Sequence, residues 1–171
     1  ILTISQSPEA EFFEINPVCV DAPAFTLTQG FPVGGTYFGP GVVNGGLDFD
    51  PAVAGAGVHQ LGYILANDFG CADTAYQNVQ VHALPEITFA ELPSMCINSQ
   101  PMTLTASPEG GTFSGTGVTG NIFDPVAAGQ GTFDITYSLT DPNTNCFNSA
   151  MQQITVNTVT VFNVADSSTC G

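Results

Sequence analysis

The sequence contains no lysine and no arginine among its 171 residues, and its 15 acidic residues give it a formal net charge of -15. If about a quarter of the chain were charged, roughly 18 or more basic residues would be expected. Binding to nucleic-acid phosphates and attraction to anionic lipids are excluded, because both depend on basic side chains. The carboxylates have no lysine or arginine partner, so they must be solvated, hydrogen-bonded or bound to cations.

Long apolar runs are also missing. None approaches the ~20 residues that span a bilayer, and no basic segment marks a signal peptide, so we expect no membrane insertion. Hydrophobic residues nevertheless make up 43% of the chain, which is too many for a disordered segment. The five cysteines are widely spread with no Cys-x-x-Cys pair, which favours disulfides in an oxidising compartment over a metal site.

The motifs of catalysis are absent from the sequence. There is no Gly-x-Ser-x-Gly elbow and no serine or cysteine close to a suitable histidine. The Gly-rich segments are followed by neither a helix pattern nor a lysine, so they predict turns and not phosphate-binding loops. We therefore predict that the protein is not an enzyme and needs no cofactor.

The second half of the sequence repeats the first. Matching residues lie 74 to 77 positions apart, and the spacing changes within Gly- and Pro-rich segments, where loops absorb insertions. The matches include Pro8 with Pro85, Phe12 with Phe89, Cys19 with Cys96, Gly34 with Gly110, Phe49 with Phe123, Asp50 with Asp124, Tyr63 with Tyr137, Cys71 with Cys146, and Val81 with Val156. This period predicts structural units in tandem.

The ends of the chain fit the same register. Leu2 and Ile4 correspond to Val79 and Val81, so we expect residues 1–7 to be the last strand of a preceding repeat. The two repeats are then predicted at 8–84 and 85–160. Because Cys170 follows Val161-Phe162 much as Cys96 follows Phe89, residues 161–171 are expected to begin a further repeat, with the partner of Cys170 outside the fragment.

Alternation of apolar and polar residues predicts β-strands. Phe133, Ile135, Tyr137 and Leu139 would face one side of a strand, as would His59, Leu61, Tyr63 and Leu65 in the first repeat. A further alternating run carries Ala75, Gln77, Val79 and Val81, and shorter strands are expected at 25–28, 36–38, 102–105 and 112–114. No amphipathic helix is evident. Short strands with frequent turns predict an all-β fold of tandem immunoglobulin-like antiparallel β-sandwich repeats.

A family resemblance follows from the order of these motifs. Each half carries a cysteine, a Gly-Gly-Thr-aromatic segment, Gly-x-Gly-Val, Phe-Asp-Pro, Ala-Gly-x-Gly, a strand with tyrosine, and a second cysteine. This pattern resembles the tandem Ig-like or PKD-like repeats of Bacteroidota surface proteins, such as SprB-type adhesins and other type IX-secreted proteins. The resemblance implies export to the cell surface and no cofactor, whereas the lack of Lys and Arg is not explained by it.

The cysteines allow two pairings. Within each repeat, Cys19 could bond Cys71 and Cys96 could bond Cys146, which is the pairing that we favour. Strand order in a sandwich could instead place the two cysteines of a repeat at opposite ends, so that Cys19 meets Cys146 across the junction.

Several other side chains are candidates for calcium binding, catalysis or O-glycosylation. Asp48, Asp50 and Asp124 are candidate calcium ligands, although an Asx turn in Phe-Asp-Pro is favoured. His59 matches Phe133 and is expected at the edge of the core, while His82 has no catalytic surroundings. Asp73-Thr74-Ala75 resembles a Bacteroidota O-glycosylation sequon, and Ser167 is a looser candidate.

Two functions fit these features. The favoured one is a structural repeat of an extracellular fibre, stalk or adhesin at the bacterial cell surface. Its partners would be neighbouring repeats of the same protein and other copies in a filament, with Phe12, Phe13 and Phe89 as exposed junction contacts. The alternative is a module that binds surface glycans or proteins through loops at one sandwich end; Phe31, Phe38 and Phe69 are its candidates, since no aromatic stands at Glu109, Ser114 or 143–145.

Overall fold

The computed structural model describes residues 7–158 and divides the chain into two compact units, Ile1–Leu84 and Pro85–Gly171. The strand predicted at 1–7, apart from Ser7, and the repeat predicted to begin at 161–171 lie outside the described residues. Within residues 7–158, neither of the short helices has the length or apolar character to cross a bilayer.

Unit 1 is built almost entirely from strands. Its elements are β1 (Glu11–Phe12), β2 (Val18–Cys19), β3 (Phe25–Thr26), β4 (Gly30–Phe31), β5 (Thr36–Phe38), β6 (Val42–Val43), β7 (Asp48–Phe49), α1 (Pro51–Ala54), β8 (Gly57–Ala66) and β9 (Ala72–His82). They form a four-stranded sheet in the order β2-β9-β8-β5, a three-stranded sheet in the order β3-β7-β6, and the pair β1-β4.

The long hairpin β8–β9 organises unit 1. Its ten residue pairs run antiparallel from Gly57 opposite Val81 to Ala66 opposite Ala72, and β2 joins β9 in parallel. Successive side chains of a strand point to opposite faces. Leu61, Tyr63 and Leu65 are buried as predicted from the alternation, whereas Val58 and Ile64 are exposed.

Unit 2 repeats this order. Its elements are β10 (Met95–Cys96), β11 (Met102–Thr103), β12 (Thr112–Ser114), β13 (Val118–Thr119), β14 (Ile122–Phe123), α2 (Pro125–Ala128), β15 (Gly131–Thr140) and β16 (Phe147–Asn157). The four-stranded sheet is β10-β16-β15-β12 and the three-stranded sheet is β11-β14-β13. The pair β1-β4 has a smaller counterpart here, a single bridge between Thr88 and Ser107.

Each unit has a hydrophobic core of its own, to which both of its larger sheets contribute. In unit 1 the fully buried residues include Phe49, Leu61, Tyr63, Val79 and Val81. The matching positions of unit 2 are filled by the residues Phe123, Ile135, Tyr137, Ile154 and Val156. Full burial of one such side chain contributes about 1.5–3 kcal/mol. Two sheets over one core make an immunoglobulin-like β-sandwich, and the predicted all-β fold class is confirmed.

Two short helices were not predicted. Each helix begins at the proline of a Phe-Asp-Pro segment, and the aspartate of that segment is its N-cap. Each ends at a glycine with positive φ, Gly55 or Gly129. Four residues are too few to show a helical period, so only the Phe-Asp-Pro segment could have indicated them.

Candidate functional site

The cysteines are not equivalent in the two units. Cys19, Cys96 and Cys146 are disulfide-bonded, and Cys71 is a free, half-buried thiol. The predicted bond of Cys19 to Cys71 is therefore wrong. The alternative pairing of Cys19 with Cys146 across the junction stays a prediction. The sequence could not decide between the two pairings, because the cysteine spacing permits both a bond within a repeat and a bond across the junction. Cys170 lies outside the described residues.

Asp50 and Asp124 cap the N-termini of the two short helices. The Asp50 Oδ1 atom accepts hydrogen bonds from the backbone N–H groups of Ala52 and Val53, at 3.0 and 3.4 Å. The Asp124 Oδ1 atom does the same for Val126 and Ala127, at 2.9 and 3.4 Å. These carboxylates thus have the capping role that the Asx-turn interpretation anticipated.

Asp48, the third candidate calcium ligand, has different partners. Its carboxylate accepts a hydrogen bond from the Asn44 side-chain amide. Hydrogen bonds from Asn44 and from Thr26 lower the pKa of Asp48 below its usual value, because they stabilise the charged form. Between residues 7 and 158, no three His, Cys, Asp or Glu side chains gather as metal ligands would. Calcium binding at these positions stays an untested prediction.

His59 lies at the edge of the unit 1 core, as its match with Phe133 predicted. It is half-buried, and its Nε2 atom is 2.8 Å from the backbone oxygen of Gly55, which can only accept a hydrogen bond. The ring therefore donates to the residue that ends α1. His82 is half-buried at the end of β9.

The predicted junction phenylalanines differ in exposure. Phe12 packs on Tyr37 and Tyr63, with ring centroids 5.3 and 6.3 Å away, and is buried in the unit 1 core. Phe89 is likewise buried in the unit 2 core. The expectation that these two side chains are exposed contacts was wrong, because each completes its own sandwich. Phe13 is 54% exposed, and its junction role remains a prediction.

The O-glycosylation candidates remain predictions. Thr74 is half-buried on β9, opposite Ile64. Ser167 lies outside the described residues.

A cleft opens in unit 2 below the Gly-rich turn at 109–111. It has a volume of about 610 Å³, and its walls include Leu104, Glu109, Phe113 and Tyr137. The matching cleft of unit 1 measures about 300 Å³. Glu109 is the one carboxylate on the wall of the larger cleft.

Exposed aromatic side chains distinguish unit 1 from unit 2. Phe31, the last residue of β4, is 55% exposed, and Phe69, in the turn between β8 and β9, is 79% exposed. The register of β5 with β8 brings the loop that follows Phe31 and the turn that contains Phe69 to the same end of the unit. Phe38, the third candidate, does not belong to a loop. It lies on the outer face of the four-stranded sheet, where its ring meets that of Tyr76. Sequence reasoning missed Tyr76, although its even spacing from Thr74 and Asn78 on β9 indicated the outer face.

No protein-family model matches the chain, and no curated protein matches it. Among solved structures, one of Sidekick-1 immunoglobulin domains 1–4 is similar over 91% of this chain, with 15% sequence identity and a TM-score of 0.28. The match covers 53% of that chain, so the present sequence spans about half its length.

Proposed function

We propose that this chain is a pair of structural repeats from an extracellular fibre, stalk or adhesin at a bacterial cell surface. The observation that carries the proposal is the duplication of one core: the same apolar positions are buried in each unit, and each unit closes its own sandwich. Because each unit buries its own core, such units can be repeated in tandem along a chain without changes to that core. Such arrays extend a protein away from a surface.

The cysteines support an oxidising location. Three of the four cysteines in the described part are disulfide-bonded, and disulfides persist outside the cytoplasm. A bond from Cys19 to Cys146 would join successive repeats covalently, which suits a fibre under tension. The absence of lysine and arginine removes every site for trypsin-like proteases, as expected for a protein exposed to them.

A tandem array of self-contained units also suggests which partners the chain has. We infer that neighbouring repeats of the same protein are the first partners, and that further copies assemble into a filament. The motif pattern supports placing these repeats among Bacteroidota surface proteins. Low charge density, with 9% charged residues, would permit close lateral packing.

Electron microscopy of the native protein tests the structural role. We expect regular filaments or extended stalks with a repeat of a few nanometres, because a 75-residue sandwich is about that size. Compact isolated particles from cells that display the protein would contradict the proposal. Immunogold labelling with an antibody to unit 2 should mark the outside of intact cells, and a signal only after lysis would overturn the surface location.

A second candidate function is recognition of a glycan or protein by loops at one end of unit 1. The exposure of Phe31, at the end of β4, and of Phe69, in the turn between β8 and β9, favours it. Phe69→Asn should then weaken adhesion of coated beads to the target surface, whereas Phe147→Asn, a change of an equally apolar exposed residue in unit 2, should not. Equal adhesion of both variants and the parent chain would rule out this use of the loops.

A further inference from the structure

The outer face of the four-stranded sheet in unit 1 carries an aromatic pair that the sandwich does not need. Phe38 on β5 lies opposite Gly62 on β8, and Gly62 lies opposite Tyr76 on β9. The three residues therefore form one row across the sheet. We call this row the aromatic row.

The Phe38 and Tyr76 rings contact each other edge to face, and both remain partly exposed to solvent. Their centroids are 6.1 Å apart and their planes meet at 84°, an edge-to-face contact. The Phe38 ring lies over Gly62, so a Cβ atom at that position would collide with it. Phe38 is 42% exposed and Tyr76 is 58% exposed, so both rings keep accessible surface. A glycine inside a strand weakens the strand, and often marks a place where another group approaches closely.

Unit 2 has the same sheet, so its residues at the three matching positions show which side chains the fold requires. By strand register, Ser114 lies opposite Thr136, which lies opposite Met151. All three members of the aromatic row are replaced in unit 2, although the sheet is the same. The aromatic row is therefore a property of unit 1 and not of the sandwich.

The surroundings of the aromatic row are polar but uncharged. One step along the strands, Gln60 and Asn78 lie opposite each other, and both are exposed. In the other direction Ile64 lies between Thr36 and Thr74. The position of Gln60 is occupied in unit 2 by Asp134, which hydrogen-bonds Gln153. In a chain with a net charge of -15, this face of unit 1 carries no carboxylate among its described outer residues, which favours an uncharged ligand.

We propose that the aromatic row and its flanking amides bind a neutral pyranose unit of a polysaccharide. A pyranose ring presents C–H bonds on one face, and these are attracted to the negative face of an aromatic ring. Its hydroxyl groups lie around the rim, where the side-chain amides of Gln60 and Asn78 can both donate and accept hydrogen bonds. This site is distinct from the loop end of unit 1, and its function does not depend on assembly into a fibre.

Binding of neutral hexasaccharides to the full chain tests the proposal. The probes are β-1,4-linked hexamers of glucose, xylose, mannose and N-acetylglucosamine, measured by isothermal titration calorimetry. We expect at least one of them to bind with a Kd of about 1 mM or tighter. Tyr76→Met and the double change Phe38→Ser with Gly62→Thr copy the residues of unit 2, and each should weaken binding about tenfold or more.

Matched variants exclude other causes. Phe147→Ser and Phe13→Ser remove equally exposed aromatic rings elsewhere, and sugar binding should stay within about twofold of the parent. Sedimentation of the same proteins detects an alternative occupant, a second copy of the chain. The proposal is overturned if no hexasaccharide binds, if the control variants lose binding equally, or if Tyr76→Met changes self-association and leaves sugar binding intact.

Discussion

At the scale of single residues, one buried tyrosine in each unit anchors the Gly-rich loop that precedes an edge strand, β5 in unit 1 and β12 in unit 2. The Tyr137 hydroxyl donates a hydrogen bond to the Pro108 carbonyl at 2.6 Å and accepts one from the Gly111 backbone N–H at 2.7 Å. Tyr63 makes the same contacts to Pro32 and Gly35. Gly111 cannot carry a side chain here, because a Cβ atom would collide with the Tyr137 ring and a backbone carbonyl. The repeat of Tyr63 by Tyr137 was visible in the sequence, but the hydroxyl contacts were not.

Tyr137→Phe should therefore destabilise unit 2 although the ring stays in place. It leaves a part-buried carbonyl and N–H group without their partner, which costs about 1–3 kcal/mol. Amide hydrogen exchange should be faster along β15 and unchanged along β8, so that unit 1 serves as the control within one molecule. Tyr76→Phe, which changes an exposed hydroxyl, should alter stability by less than about 0.5 kcal/mol. Unaltered exchange in β15 would show that the hydroxyl does not stabilise the loop.

At the scale of elements, the long strands could be predicted because alternation over ten residues fixes their inward faces. Two of the short strands, 36–38 and 112–114, were predicted with the bounds that the structure has. The other two, 25–28 and 102–105, were expected to be longer, whereas only two residues of each form the ladder. A two-residue strand such as β1 has no period, so the burial of Phe12 depends on Tyr37 and Tyr63, which are distant in sequence. The two short helices escaped prediction for the same reason, although the hydrogen bonds of their capping aspartates were anticipated as Asx turns.

The helix α2 gives a test that separates capping from calcium binding. Asp124→Ala removes the acceptor for Val126 and Ala127 and should destabilise unit 2 by about 1 kcal/mol. Asp124→Asn should change stability little, since an asparagine oxygen is an equally good cap. Urea unfolding with calcium and with EDTA is the measurement, and Asp134→Asn, on an exposed strand position, is the control. A calcium-dependent stability that Asp124→Asn abolishes would show that Asp124 binds calcium and would contradict a role limited to capping.

At the scale of the whole chain, duplication makes the differences between the units informative. The cores are the same, so the sequence repeat was sufficient to predict two sandwiches. The cysteines, the outer sheet faces and the clefts differ, and these were not predictable from the repeat. Cys71 and Cys146 occupy matching positions after the long strand, yet one is free and the other bonded. Bonding therefore depends on what each cysteine meets outside the local hairpin.

Peptide mapping without reduction should demonstrate this asymmetry. Because the chain lacks lysine and arginine, a protease that cleaves after Asp and Glu replaces trypsin. The bond before Pro142 resists cleavage, so the sites place the cysteines in separate peptides: 15–21, 69–73, 92–109, 135–166 and 167–171. Among the four cysteines of residues 7–158, alkylation of the native protein at neutral pH should label Cys71 alone, and slowly, since the thiol is half-buried. If Cys19 bonds Cys146 as the junction pairing predicts, peptides 15–21 and 135–166 should be recovered as one cross-linked species that separates on reduction. In Cys71→Ser the cross-link should persist and the label disappear, whereas a species joining 15–21 to 69–73 would restore the pairing within a repeat.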